Sequence, residues 1–401
     1  MKNEQKTITN ANEVRQNKPN VPTLRFSEFT KPWEKIELKS IIKEIKEYTS
    51  DFKKYPLYSF TIENGVTPKT DRYERNFLVT KEGDTFKVVP PKAFVMNPMN
   101  LRFGAINYSK IDFPVSVSGY YNIFEIENGQ NNDFWSAYFL TKSAINLYNS
   151  VATGSLLEKK RVHFSQFVGL KFLVPTNVEK EKITSFLRLI DNRIKVQNKI
   201  IEDLKILKKE LCNKVFRSFQ CVRLGDYIEE ITTRNRSNYC DNVLSVSNKL
   251  GFVKQSEQFE DRTIASEDKR NYKVVTTGCF AYNPARINVG SIALLSSDIR
   301  GIISPMYICF KTKHGLSEEY LNFYYQSGFF FKELQKRLEG SVRQCLTYEN
   351  MCDMQIPFAE VERQVEIADK LKRFACLIEN EEKYLKLLRR QKAYFLNAMF
   401  I

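Results

Sequence analysis

Residues 176–216 read TNVEKEKITSFLRLIDNRIKVQNKIIEDLKILKKELCNKVF. Ile183, Leu187, Ile190, Ile194, Ile201, Leu204, Leu211 and Val215 recur at spacings of three and four, the seam of a coiled coil, interrupted at Gln197 and Lys208. Thr176, just after Pro175 and followed by Glu179, predicts a capping-box start. At about 1.5 Å per residue, segment 176–217 makes a rod of roughly 60 Å. The end of the chain has the same texture. Over 360–400 the seam is Ala368, Leu371, Ala375, Ile378, Leu385, Leu388, Phe395 and Met399, and no Ser/Thr cap precedes it after Ile356-Pro357. Two long seams of equal length are expected to pair with each other rather than lie on separate cores. Because they are joined through a domain, the return path allows an antiparallel arrangement.

The sequence flanking the first seam is one unit written twice. Displaced by 186 residues, Trp33-Glu34-Lys35-Ile36-Glu37-Leu38 lies over Phe219-Gln220-Cys221-Val222-Arg223-Leu224. The same shift lays Ile42, Glu44 and Ile45 on Ile228, Glu230 and Ile231, Gly65 on Gly251, and Phe86-Lys87-Val88-Val89 on Tyr272-Lys273-Val274-Val275. It continues through Asn97-Pro98 on Asn283-Pro284, Gly104 on Gly290, Ser118 on Ser304, Phe124 on Phe310 and Tyr138 on Tyr324. Gly154-Ser155 still falls on Gly340-Ser341. A constant offset over about 120 residues marks a duplication; after Gly154 it drifts to about 182–184.

Each copy reads as α+β. Alternation predicts strands at Leu57–Ile62, Tyr120–Ile126 and Met306–Lys311, and the apolar runs Ala93–Met96 and Cys279–Tyr282 stop at Asn-Pro turns. A helix with aromatic anchors follows in each copy. One covers 133–148 with Trp135, Tyr138 and Phe139; the other covers 317–338, capped by Ser317 with Glu318 and Glu319 in its first turn. At helical spacing these aromatics are expected to form core rather than stacking platforms. The expected organisation is a polar tail 1–20, a domain 21–175, a helix 176–217, a domain 218–357 and a helix 358–401.

A length of 401 residues suits two domains, and 42% hydrophobic residues are enough to build their cores. The chain carries 62 Lys+Arg against 47 Asp+Glu, a net charge of +15, which favours nucleic acid, a membrane surface or an acidic protein as partner. No run of eighteen apolar residues occurs and the N-terminus lacks an apolar signal core, so no membrane span or secretory signal is expected. Eight cysteines without a CxxC pair read as reduced thiols of a cytoplasmic protein. His163 and His314, the two histidines, are expected to have ordinary structural or surface roles, so no metal is expected. GxxxxGK[ST], GxGxxG and GxSxG are all absent, so no P-loop, dinucleotide or S-adenosylmethionine fingerprint and no nucleophile elbow can be read. Asn97-Pro98-Met99-Asn100 and Asn283-Pro284-Ala285-Arg286 lack the second proline and aromatic of an adenine methyltransferase motif, and Glu44-Ile45-Lys46 alone does not make a nuclease. A binder without a catalytic site or cofactor of its own is the expectation.

Val21-Pro22-Thr23-Leu24-Arg25-Phe26, with Phe29 and Trp33-Glu34-Lys35, resembles the start of specificity (S) subunits of type I restriction–modification enzymes. So does Thr153-Gly154-Ser155 running on to Leu173-Val174-Pro175, Glu179–Ile183 and a long helix. The resemblance spans nearly all of 21–401. Of the family's Glu-Gln-x-x-Ile-Ala pattern after the proline, the second copy keeps Glu362-Arg363-Gln364 and Ile367-Ala368, while the first has Glu179-Lys180-Glu181-Lys182-Ile183.

The resemblance implies two target-recognition domains, each reading one half of a split double-stranded DNA target, and an antiparallel two-helix spacer between them. It also implies two modification subunits, which bring S-adenosylmethionine and adenine-N6 methylation, and restriction subunits for translocation and cleavage. Polar and basic loop positions at matching places are then the candidate DNA contacts. They are Thr61, Asn64, Lys69, Arg72, Arg102, Asn107, Lys159, Lys160 and Arg161 in the first copy, and Asn248, Lys249, Lys254, Arg286, Asn288, Arg343 and Gln344 in the second. Gly154 and Gly340 are expected to serve close backbone turns. The rivals are a self-contained DNA methyltransferase or fused restriction–modification enzyme, and a coiled-coil adaptor with two protein-binding heads.

Overall fold

The computed structural model describes residues 20–62, 64–68, 86–126, 131–155, 160–248, 250–255, 268–340 and 344–401. The chain divides into two compact units, Met1–Lys195 with Leu385–Ile401, and Val196–Tyr384. Both seams are uninterrupted helices, Asn177–Arg217 and Val361–Ala398, and each unit holds a stretch of both. Between and before them lie short strands and helices, so the fold is α+β with two β-rich pieces and two long helices.

Duplication is visible strand by strand. The first unit has a four-stranded antiparallel sheet in the order Ile42–Ile45, Asn122–Ile126, Phe94–Met96, Ile106–Tyr108. In the second unit the order is Ile228–Glu230, Ile308–Thr312, Phe280–Tyr282, Ile292–Leu294. Even the register repeats: Phe124 pairs with Phe94 and Phe310 with Phe280. These rings stack with centroids 5.2 Å apart in the first unit and 5.1 Å in the second. One difference lies in the neighbouring layer. The hairpin Tyr58–Thr61/Gly65–Pro68 touches its neighbour through a parallel bridge from Leu57 to Ser116. Its counterpart Val243–Ser247/Gly251–Lys254 joins a four-stranded sheet through parallel pairing with Gly301–Ile303.

Two readings of the sequence need correction. The expected single helices over 133–148 and 317–338 are each two helices, Asn132–Phe139 with Lys142–Val151 and Glu318–Tyr324 with Gly328–Gln335. The break is made by a hydroxyl at the same place in each copy. The Thr141 side chain accepts from Ala144 N at 3.2 Å and donates to Tyr138 O at 2.8 Å. Ser327 accepts from Phe330 N at 3.4 Å and donates to Tyr324 O at 2.6 Å. Each hydroxyl thus ends one helix and caps the next. Ser317 caps as expected, accepting from Tyr320 N at 3.4 Å. The drift of the repeat offset also has a local cause: the bridge Thr153–Arg161 encloses residues 154–160, whereas its counterpart Glu339–Cys345 encloses the shorter 340–344.

The aromatic anchors form core. Trp33, Phe134, Tyr138 and Phe400 interlock in the first unit, with Ile183, Leu187 and Ile190 of the long helix in the same cluster. In the second unit Phe216 meets Tyr320 and Tyr324, beside Ile367, Ala368 and Leu371. Within the first unit the helices run antiparallel, with Phe186 edge-on to Phe395 at 4.9 Å and Lys392 paired with Asp191 at 2.5 Å. Gln197, 5% exposed in the second unit, donates to Glu381 Oε2 at 2.5 Å, so the polar interruption of the seam is satisfied across the helix pair.

Only half of the predicted capping box forms. Thr176 accepts from Glu179 N at 3.4 Å, but the Glu179 carboxylate turns away to Arg25, which donates through Nε and Nη2 at 2.7 Å each, and to Trp33 Nε1 at 3.1 Å. At 1% exposure Glu179 thereby clamps the N-terminal segment onto the long helix. Glu179→Ala leaves buried donors unpaired and should cost about 3 kcal/mol in urea unfolding. A loss under about 0.5 kcal/mol would show the clamp to be inert.

A second tie is electrostatic. Asp133 pairs with Arg188 at 2.9 Å and accepts a hydrogen bond from Tyr108; the counterpart tie joins Glu319 to Lys372 at 2.7 Å. Burial alone would raise the Asp133 pKa, but hydrogen bonds from Tyr108 and Arg188 and the charges of Arg188 and Lys110 outweigh it and hold the carboxyl below its ordinary value. A depressed carboxylate stabilises fully above its unfolded value and loses that contribution as pH falls through the folded one. Asp133→Asn should therefore lower Tm at pH 7, and the gap to wild type should close progressively below about pH 4. A gap that does not change with pH would rule out the charge as its source.

Candidate nucleic-acid interface

Three loops meet in each unit. The first is the turn of the hairpin, where Thr61 Oγ1 accepts from Asn64 N at 3.1 Å and Ser247 Oγ accepts from Leu250 N at 3.4 Å. The second is the Asn-Pro turn. Asn97 Oδ1 accepts from Met99 N at 3.0 Å and Asn283 Oδ1 from Ala285 N at 3.1 Å, so both asparagines close Asx turns after a buried strand, as expected from the sequence. A short 3-10 turn follows, Leu101–Phe103 or Ile287–Val289, closed by Gly104 or Gly290 at φ 87° and 90°. The third is the Gly-Ser loop, held to the Asn-Pro turn by Val162 N donating to Pro98 O at 3.0 Å and Leu346 N to Pro284 O at 3.1 Å.

Most of the candidate contacts among the described residues fall on these loops, while Asn107 and Lys254 lie on strands. Thr61 and Asn64 are exposed on the hairpin turn. Asn107 is half-buried on the strand after the 3-10 turn and accepts from Ser136 Oγ at 2.9 Å; a Cβ on Gly65 would lie 3.4 Å from its Nδ2. Asn107 thus joins hairpin, strand and helix. Arg102 is half-buried, donates from Nε to Asn149 Oδ1 at 2.7 Å and lies 5.7 Å from the centroid of the Phe103 ring. Lys160 is half-buried and Arg161 exposed at the end of the Gly-Ser loop.

In the second unit Asn248 is exposed and reaches Val289 O at 3.5 Å, so hairpin turn and 3-10 turn touch. Arg286, Asn288, Lys254 and Gln344 are exposed. Lys69, Arg72, Lys159, Lys249 and Arg343 lie outside the described residues. The loop cluster also presents apolar side chains that the search for polar positions passed over: Phe103 is 65% exposed, Val289 60%, Ile62 44% and Leu250 78%. Their signal in the sequence is position alone, since Phe103 and Val289 each precede a turn-closing glycine.

No family model matches the chain, and no curated protein matches it in sequence. Solved structures do match in fold. A chain from a structure concerned with complex assembly and conformational transition of the type I restriction–modification system aligns with TM-score 0.58 at 14% identity, over 91% of this chain and 96% of that one. The type I restriction–modification system S subunit from M. genitalium aligns with TM-score 0.53 at 12% identity, over 95% of this chain and 99% of that one. The chain therefore has the fold of a type I S subunit over more than nine tenths of its length. Among the described residues no helix is long and apolar enough to cross a membrane.

Gly290 offers a clean test of the turn. A Cβ there would meet nothing closer than Asn248 Cβ at 3.9 Å, so the demand is on φ alone. Gly290→Ala should destabilise by about 1 kcal/mol and Gly290→Asn by less, because Asn tolerates the left-handed region. Equal losses, read from urea midpoints, would place the cost elsewhere.

Proposed function

We propose that this chain is the non-catalytic DNA-specificity subunit of a type I restriction–modification complex. The observation that carries the reading is the duplicated loop cluster, on a chain that shares the S-subunit fold over nine tenths of its length. Segments 21–175 and 218–357 are the two readers, 176–217 and 358–401 the spacer helices, and 1–20 a tail. Each reader takes one half of a bipartite double-stranded target. Lys160, Arg161 and Lys254 supply charge for phosphates, and Arg102 and Arg286 with Thr61, Asn64, Asn107, Asn248, Asn288 and Gln344 supply guanidinium, amide and hydroxyl groups for base edges. The net charge of +15 supports the partner class and predicts binding that weakens steeply with salt.

Two modification subunits dock on the chain and bring the methyl donor and the adenine-N6 chemistry, and restriction subunits complete the assembly in the cytoplasm. The chain itself holds no cofactor. Its task is geometric, since two readers on helices of set length convert that length into a base-pair gap, as half-site spacing does in dimeric DNA binders.

The test is a methylome. The chain expressed with its modification partner should methylate an asymmetric split motif with a few unspecified base pairs between halves. Removing four residues, about one turn, from 176–217 should shorten or abolish that gap while leaving the half-sites recognisable. An unchanged gap would sink the ruler, and absence of any split motif would sink the function.

A further inference from the structure

The loop after the buried strand occurs twice, as Asn97-Pro98-Met99-Asn100-Leu101-Arg102-Phe103-Gly104 and as Asn283-Pro284-Ala285-Arg286-Ile287-Asn288-Val289-Gly290. Its backbone is the same in both. Asn100 N donates to Asn97 O at 3.1 Å and Arg286 N to Asn283 O at 3.0 Å; Phe103 N donates to Asn100 O at 2.9 Å and Val289 N to Arg286 O at 3.1 Å. Gly104 N and Gly290 N close the turn on Leu101 O and Ile287 O at 2.8 Å and 2.9 Å. The inward positions are kept as well: Leu101 and Ile287 are both fully buried.

The outward positions are not kept. Asn100 becomes Arg286, Arg102 becomes Asn288 and Phe103 becomes Val289. A fold that needed this turn only for itself would gain nothing from holding a phenylalanine 65% exposed and its counterpart valine 60% exposed on an otherwise preserved frame. Nor are the apolar tips isolated. The neighbouring hairpin turn adds Leu250, 78% exposed, in the second unit and Ile62, 44% exposed, in the first.

We propose that this Asn-Pro turn is the sequence-discriminating tip of each unit, with Phe103 and Val289 contacting base edges of duplex DNA. An inward frame that stays constant while the outward face changes is what two readers of different half-sites require. The chemistry of the exchanged residues fits grooves: guanidinium for guanine, amide for adenine, and an apolar side chain for the thymine methyl. Backbone hydrogen bonds within the turn preform the tip, with glycine admitting the left-handed φ that closes it, so less entropy is lost when it engages. The inference rests on the reading of the chain as a DNA-specificity subunit and adds which residues carry the specificity.

The test exchanges the outward face alone. Asn100→Arg, Arg102→Asn and Phe103→Val are introduced together in the full chain, co-expressed with the modification subunits, and the methylated motif is mapped. The first half-site should change at one or more base pairs, while the second half-site and the gap stay as they were. An unchanged first half-site overturns the proposal, as does a change in the second half-site or the gap. Phe103→Val alone gives a readout that does not need methylation. By fluorescence anisotropy it should weaken binding to DNA carrying the natural first half-site on the order of 10-fold, and hardly affect DNA with that half scrambled. Equal weakening on both DNAs overturns the proposal. If the unaltered chain with the same partners methylates no split motif, the parent reading falls and this one with it; every other negative outcome strikes the tip alone.

Discussion

Burial of the two helical seams is the constraint on which the rest depends. A helix of 41 residues with a mean polar surface is marginal in water unless its apolar stripe is covered along its length. Here the stripe is covered twice over, by the other helix and by the aromatic core of the unit it traverses. Ile183, Leu187 and Ile190 share a cluster with Trp33, Phe134 and Phe400, and Cys212 and Phe216 share one with Tyr320, Ile367 and Leu371. At about 1.5–3 kcal/mol for each buried aliphatic or aromatic side chain, these contacts outweigh any single polar tie in the molecule. Gln197 and Glu381 add discrimination rather than stability: a buried amide is tolerated only in the register that gives it a partner.

Duplication then works on the loops. The sheet order, the stacked Phe94/Phe124 and Phe280/Phe310 pairs, the hydroxyl caps at Thr141 and Ser327 and the left-handed glycines are all common to the two units. Residues that face the core or close a turn change only within limits of volume, hydrogen bonding and φ, as Leu101 against Ile287 and Thr141 against Ser327 show. Outward loop positions carry no such limits and have diverged, as Arg102 against Asn288 and Phe103 against Val289 illustrate. The proposed division between framework and reading surface follows from that asymmetry of costs.

Much of this was legible in the chain itself. The seam spacing, the 186-residue displacement and the apolar runs ending at Asn-Pro are periodic or local signals, and each became the element it implied. The breaks inside the aromatic helices were missed because Thr141 and Ser327 sit within patterns whose helical spacing continues on either side. Their capping role depends on where the hydroxyl points. The capping box at Thr176 was half right for the same reason. Glu179 has the spacing to bond back to its own cap, yet Arg25 and Trp33, 154 and 146 residues away in the chain, offer a stronger charge-assisted partnership.

The sequence by itself determined the repeat, the helix lengths and the net charge, because periodicity and charge are sums over the chain that no folding detail can alter. Tertiary structure decided which loops meet and which side chains stand at their tips. Asn107, expected as a DNA contact on a loop, proved to lie on a strand joining three elements, while Phe103, which the sequence did not single out, is 65% exposed. Exposure of a single side chain depends on the φ of a neighbouring glycine and the path of a distant hairpin. Neither is written in the residue's own position.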